Sequence, residues 1–151
     1  MLEDEIYVFI DCLDHYFLKR SDQKVVIETP YLTECITEKM MDFTGSISIS
    51  GHYSGSVFFT ASDDFIEKLI TAHGQSDFSV ALKRDVIGEV VNTLSGNSRK
   101  TLGSHFVISV PKVLEHEDIE DEELIGCEHA YVIPVKWYDN DAAMVVSITK
   151  T

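Results

Sequence analysis

Positive charge is what this 151-residue sequence has least of: 12 lysines and arginines stand against 26 acidic residues, a formal charge of −14. Nucleic acid and anionic lipid both need a positive field, so neither is an expected partner, and a protein is. No stretch approaches the roughly 20 apolar residues of a membrane span, and the opening "MLEDEIYVFIDCLDHYFLKR" is acidic where a secretion signal is basic. The expected location is therefore the cytoplasm, without membrane or export. Cysteine is sparse: Cys12, Cys35 and Cys127 form no CxxC pair and no zinc spacing, which predicts buried, reduced thiols. GxGxxG, GxSxG and HExxH are all missing, so nothing announces a dinucleotide loop, a nucleophile elbow or a zinc site. The six histidines show no paired spacing, and the acidic run "EHEDIEDEE" (115–123) lacks the glycine and spacing of a calcium loop. No metal site is expected in this chain.

What is present is enough apolar material, 44% of residues, to bury one proper core, and too little length for two. Residues 1–151 read as a single domain. Leu2, Ile6, Phe9, Ile10, Leu13 and Phe17 recur at helical spacing behind Glu3, Asp4 and Glu5, which predicts a first helix ending near Lys19 to Ser21. "KVVIET", stopped by Pro30, predicts a strand, and 31–41 stays ambiguous. "GSISIS", "GHYSG" and "SVFFTA" predict a β-hairpin. Ser62 with Asp63 and Asp64 opens a second helix closing at Gly74, and a third helix is predicted over 79–102. "FVISVPKVL", "AYVIPVKWY" and "AAMVVSIT" follow as strands, with Pro111 and Pro134 marking edges or bulges. This order predicts an α+β fold, a mostly antiparallel sheet with helices packed on one face. An unpaired edge is also a place where a second subunit can add its sheet.

The third helix has two unlike halves. Leu82, Val86, Ile87, Val90, Val91, Leu94 and Thr101 fill the predicted core side, while Asp85, Glu89, Asn92, Gly96 and Arg99 gather on the other. Glu89 and Asn92 thus point together into solvent, about 4.5 Å apart along the axis. Gly88 and Gly96 interrupt the helix at roughly 1 kcal/mol each, and the expected return is room for another surface to approach. An isolated Glu-x-x-Asn is common in proteins of ordinary composition, so the pair needs context.

The context is wider than the pair. "DVIGEVVNTLSGNSRKTL" carries Asp85 four places before Glu89, then Asn92, then Gly96 with Asn97; "FTGSISISGHYSGSVFFTAS" and "FVISVPKVL" stand before and after it at matching spacing. In these features the sequence resembles the CheX/CheC/FliY-type phosphatases of bacterial chemotaxis, and the CheX branch most closely, since only one Glu-x-x-Asn occurs. The resemblance implies a CheC/CheX-like fold, a homodimer with one site per subunit, and hydrolysis of the aspartyl phosphate on a CheY-like response regulator. It implies that Asn92 positions the attacking water and Glu89 pairs with the receiver's lysine, with Asp85, Gly88, Gly96 and Arg99 in the partner surface. Mg²⁺ would then sit on the partner receiver domain, with no cofactor bound by this chain. The rival reading is a non-catalytic dimeric module that binds receiver domains or flagellar switch proteins through the same helix.

Overall fold

The computed structural model describes residues 3–20, 25–115 and 129–151. Helix α1 (Glu3–Leu18) buries Ile6, Phe9, Leu13, Tyr16 and Phe17 along one stripe. After it come two short strands, β1 (Val26–Ile27) and β2 (Tyr31–Thr33), and a 3₁₀ turn at Thr37–Lys39. The hairpin of β3 (Phe43–Gly51) and β4 (Tyr53–Ala61) is followed by α2 (Asp63–Ala72) and α3 (Val80–Leu102). Strands β5 (Phe106–Ile108), β6 (Lys112–Glu115), β7 (Ala130–Trp137) and β8 (Asn140–Lys150) complete the chain.

Among the described residues all eight strands form one sheet, in the order β1-β7-β8-β4-β3-β5, with β2 beside β7 and β6 beside β3. Every pairing is antiparallel. The expected α+β architecture is therefore the observed one. The prolines fall where a missing N–H is tolerated. Pro111 lies between β5 and β6, both at the β3 edge, and Pro134 lies opposite the gap between β1 and β2, where its carbonyl accepts from Glu28 N–H at 3.0 Å.

Strict alternation separates the two faces of the sheet. Ile47, Val57, Phe59, Ile133, Val135, Met144 and Val146 meet the helices in the main core, where Phe17, Phe65 and Trp137 interlock with ring centroids 5.2–5.8 Å apart. Phe58, Val132, Ala143 and Val145 point the other way and are covered by Ile36 and Met40. The ambiguous stretch 31–41 is thus the lid of a second, smaller apolar cluster. Nearer the hairpin tip that face is lined by Ser48, Ser50 and Ser54, which are exposed among the described residues.

Helix α3 is placed by contact with β3. A Cβ added at Gly45 would stand 2.8 Å from both the Ile87 carbonyl oxygen and Val91 Cγ1, so the helix backbone rests directly on this glycine. At the other side, α1 and α3 run antiparallel. Phe9 packs on Phe106 just beyond the end of α3, and Cys12 Sγ lies 3.5 Å from Ser98 Oγ.

Two sequence expectations are corrected here. Thr101, assigned to the core half of α3, is exposed; in that last turn Leu102 is the side chain that packs against the core. Cys35, expected to be buried, is exposed beside the 3₁₀ turn, while Cys12 is half-buried with its thiol pushed up by burial. Both are free; Cys127 and the acidic run from His116 to Glu123 lie outside the described residues.

Candidate functional site on helix α3

Helix α3 begins where Ser79, in extended backbone, accepts from Leu82 N–H through its hydroxyl, an N-cap that satisfies one of the first free donors. Val86, Ile87, Val90, Val91 and Leu94 bury its apolar half. Lys83, which is 7% exposed, locks the first turns to α2: its ammonium donates to Asp63 Oδ1 at 2.6 Å and to Glu67 Oε2 at 3.3 Å. Burial opposes the charge of Lys83, but the two carboxylates outweigh it and its pKa is raised. Asp63, Asp64 and Glu67 form the one group of described acidic side chains close enough to share a cation, and Lys83 already occupies two of the three.

The residues singled out on the opposite half are brought together. Asp85, Glu89, Asn92 and Arg99 are exposed on one side of α3, and Glu89 and Asn92 share the outward patch one turn apart. Gly96 is half-exposed with open space around its Cα, so a surface can approach there. Gly88 is different. It is buried, and a Cβ there would meet Val113 Cγ2 of β6 at 3.1 Å, so the room it leaves is filled from within the chain rather than offered to a partner. The signal that misled is that a helical glycine looks the same in sequence whether the close neighbour is internal or external.

The patch therefore has β6 on one flank and α1 on the other. On the α1 flank lie Tyr16 and Arg20, which helical periodicity did not single out. Tyr16 is 2% exposed, and the Arg20 guanidinium lies 3.5 Å over its ring while its NH1 donates to the Tyr16 carbonyl oxygen at 2.8 Å. Burial raises the Tyr16 phenol to about 12; the Arg20 charge lowers it, and the Glu89 charge raises it, so Glu89 and Arg20 flank the same phenol. No local sequence signal links residues 16 and 20 to residue 89, because the link is the packing of two helices distant in sequence.

His52 at the hairpin tip stacks on His105 with centroids 4.1 Å apart. Tyr53 is core, edge-on to Phe106 at 5.3 Å. No helix among the described residues is long and apolar enough to cross a membrane.

Comparison with solved structures identifies the class of fold. A CheC-like superfamily protein from Shewanella sp. PV-4 superposes with a TM-score of 0.82 at 20% identity over 99% of each chain. CheX from Vibrio vulnificus gives 0.79 at 15% identity, over 97% of this chain and 99% of that one. CheX in the CheX–CheY–BeF3–Mg²⁺ complex from Borrelia burgdorferi gives 0.74 at 18%, over 97% and 98%. This is the CheC/CheX-like fold. Residues 43–136, which include the hairpin and all of α3, match the family model described as chemotaxis phosphatase CheX, and the chain belongs to that family. A comparison with curated protein sequences returns no match.

Proposed function

We propose that this chemotaxis phosphatase acts on the aspartyl phosphate of a CheY-like receiver domain, with Asn92 positioning the water and Glu89 docking the receiver's lysine. The observation that carries the reading is the pairing of Glu89 and Asn92 on the free side of a helix whose other side is fixed to the sheet, α1 and α2. A short, rigid, protruding pair suits insertion into a partner's pocket.

An aspartyl phosphate is a mixed anhydride whose leaving group is a carboxylate, so no covalent relay through this chain is required. Water oxygen forms the new bond to phosphorus, the bond from phosphorus to the acyl oxygen breaks, and inorganic phosphate and the free aspartate result. Orientation of that water in line with the breaking bond supplies most of the acceleration. Asn92 suits the task because its amide accepts a hydrogen bond from water and carries no charge to repel the phosphoryl group. Glu89, one turn away, forms a charge-assisted contact with a lysine and sets the angle at which the helix enters. Mg²⁺ belongs in this scheme to the receiver's pocket.

A homodimer with one site per subunit and a cytoplasmic location complete the reading. The deciding experiment is phosphate release from phosphorylated CheY-like receiver with and without the protein. Acceleration is expected. Binding of the receiver without acceleration replaces the enzymatic reading with the non-catalytic binding module.

A further inference from the structure

Arg20 stands just beyond α1 with its guanidinium held in place from two sides, by the Tyr16 ring at 3.5 Å and the Tyr16 carbonyl at 2.8 Å. It is half-buried, and its Nε is buried without a hydrogen-bond partner. Among the described residues no carboxylate pairs with it. A planar cation fixed in this way, with no carboxylate of the described residues against it, is unusual in a chain of charge −14.

Its position follows from the helix register. Cys12 meets Ser98, so Tyr16, four residues further along α1, comes level with about Leu94, four residues back along α3 and two from Asn92, and Arg20 stacks on that tyrosine just beyond the helix end. Phe17 packing on Phe65 of α2, whose first turn binds Lys83, places the end of α1 near the start of α3 by an independent route. The opposed effects of Glu89 and Arg20 on the Tyr16 phenol agree.

We propose that Arg20, held on the Tyr16 ring, is a third partner-contact residue of the site and donates to a phosphoryl oxygen of the incoming receiver. The inference rests on the receiver-phosphatase reading given above. Its physical basis is charge: a strongly acidic chain approaching a phosphorylated carboxylate meets repulsion, and a guanidinium fork matches phosphoryl geometry where Glu89 and Asn92 do not. Restraint by Tyr16 lowers the side-chain entropy lost on contact.

The test is calorimetric binding of the protein to a CheY-like receiver with and without beryllofluoride and Mg²⁺, which mimic the acyl phosphate. Arg20→Gln should weaken binding of the beryllofluoride form about tenfold, flatten its salt dependence, and leave the unmodified form within twofold. Arg20→Lys, which keeps the charge but not the fork, should lose about threefold and stands in if the glutamine variant does not fold. Unchanged affinity of the beryllofluoride form in folded Arg20→Gln overturns the proposal, and equal losses in both forms overturn the phosphoryl assignment. Because binding needs no turnover, a parent that binds the beryllofluoride form yet releases no phosphate sinks the enzymatic reading alone.

Discussion

Gly45 of β3 lies so close beneath Ile87 of α3 that a single added carbon would stand 2.8 Å from the Ile87 carbonyl oxygen. The obstacle is helix backbone, which cannot rotate away as a side chain does. Gly45→Ala should therefore lift α3 and cost about 1–3 kcal/mol, the usual range for overpacking, seen as a drop of several degrees in Tm. Turnover should fall with it, because the pair Glu89 and Asn92 rides on the displaced helix. Calorimetry and phosphate release on the same preparation check both.

The two residues of the pair should separate by kinetics. Asn92→Ala removes an exposed positioning group, so receiver binding should survive while kcat falls by about 10² or more. Glu89→Ala should weaken binding as well as turnover, and Glu89→Lys should be worse through like-charge repulsion. Both side chains face solvent, so Tm should move little. An Asn92→Ala protein as fast as its parent refutes the enzymatic role.

The Lys83 clamp should respond asymmetrically. Lys83→Met replaces a buried ammonium by an apolar side chain of similar volume and leaves Asp63 and Glu67 to water, so little stability should be lost. Removing the carboxylates, as in Asp63→Ala with Glu67→Ala, strands the ammonium and should cost about 2 kcal/mol, between an exposed and a fully buried pair because the acidic side chains are 45% and 35% exposed. The raised Lys83 pKa adds stability that is complete below the free lysine value of 10.5 and disappears as pH rises through the folded value. Urea melts from pH 6 to 9 should therefore show no contribution from this pair changing with pH.

The Tyr16 phenol should ionise at about 12 against 10.0 for a free phenol. Ultraviolet titration of the phenolate should show a step there that Tyr16→Phe removes. The sign is that of a raised acid: its contribution to folding is present below pH 10 and lost as pH climbs through 12.

Dimerisation is expected at the free margins of the sheet, where β1 and β2 line one side and β5 and β6 the other. Sedimentation at tens of micromolar should give twice the monomer mass of 17.0 kDa, and a monomer at that concentration counts against the assembly.

Much of this was legible in the residues, and the failures share a cause. The hairpin, α2 with its Ser62 cap, and α3 over Val80–Leu102 follow from alternation, capping and helical period, which are local properties. The outward grouping of Asp85, Glu89, Asn92 and Arg99 follows from the same period. The stretch 31–41 was not legible because Ile36 and Met40 are buried only by the far face of β4, β7 and β8. Gly88 was misread because Val113, its neighbour in space, is 25 residues away in sequence. Tyr16 and Arg20 were missed for the same reason: what makes them part of the site is the register between α1 and α3.

The division of α3 into an anchored half and a free half bears on how such a protein can change over generations. Asp85, Glu89, Asn92 and Arg99 are exposed while Ile87, Val91 and Leu94 are buried, so substitutions in the first group should cost little folding stability. Partner preference can then drift, one exposed side chain at a time, without eroding the margin that keeps the chain folded. The α1 flank is the exception, since Arg20 leans on a tyrosine that is also core, and selection there acts on recognition and folding together.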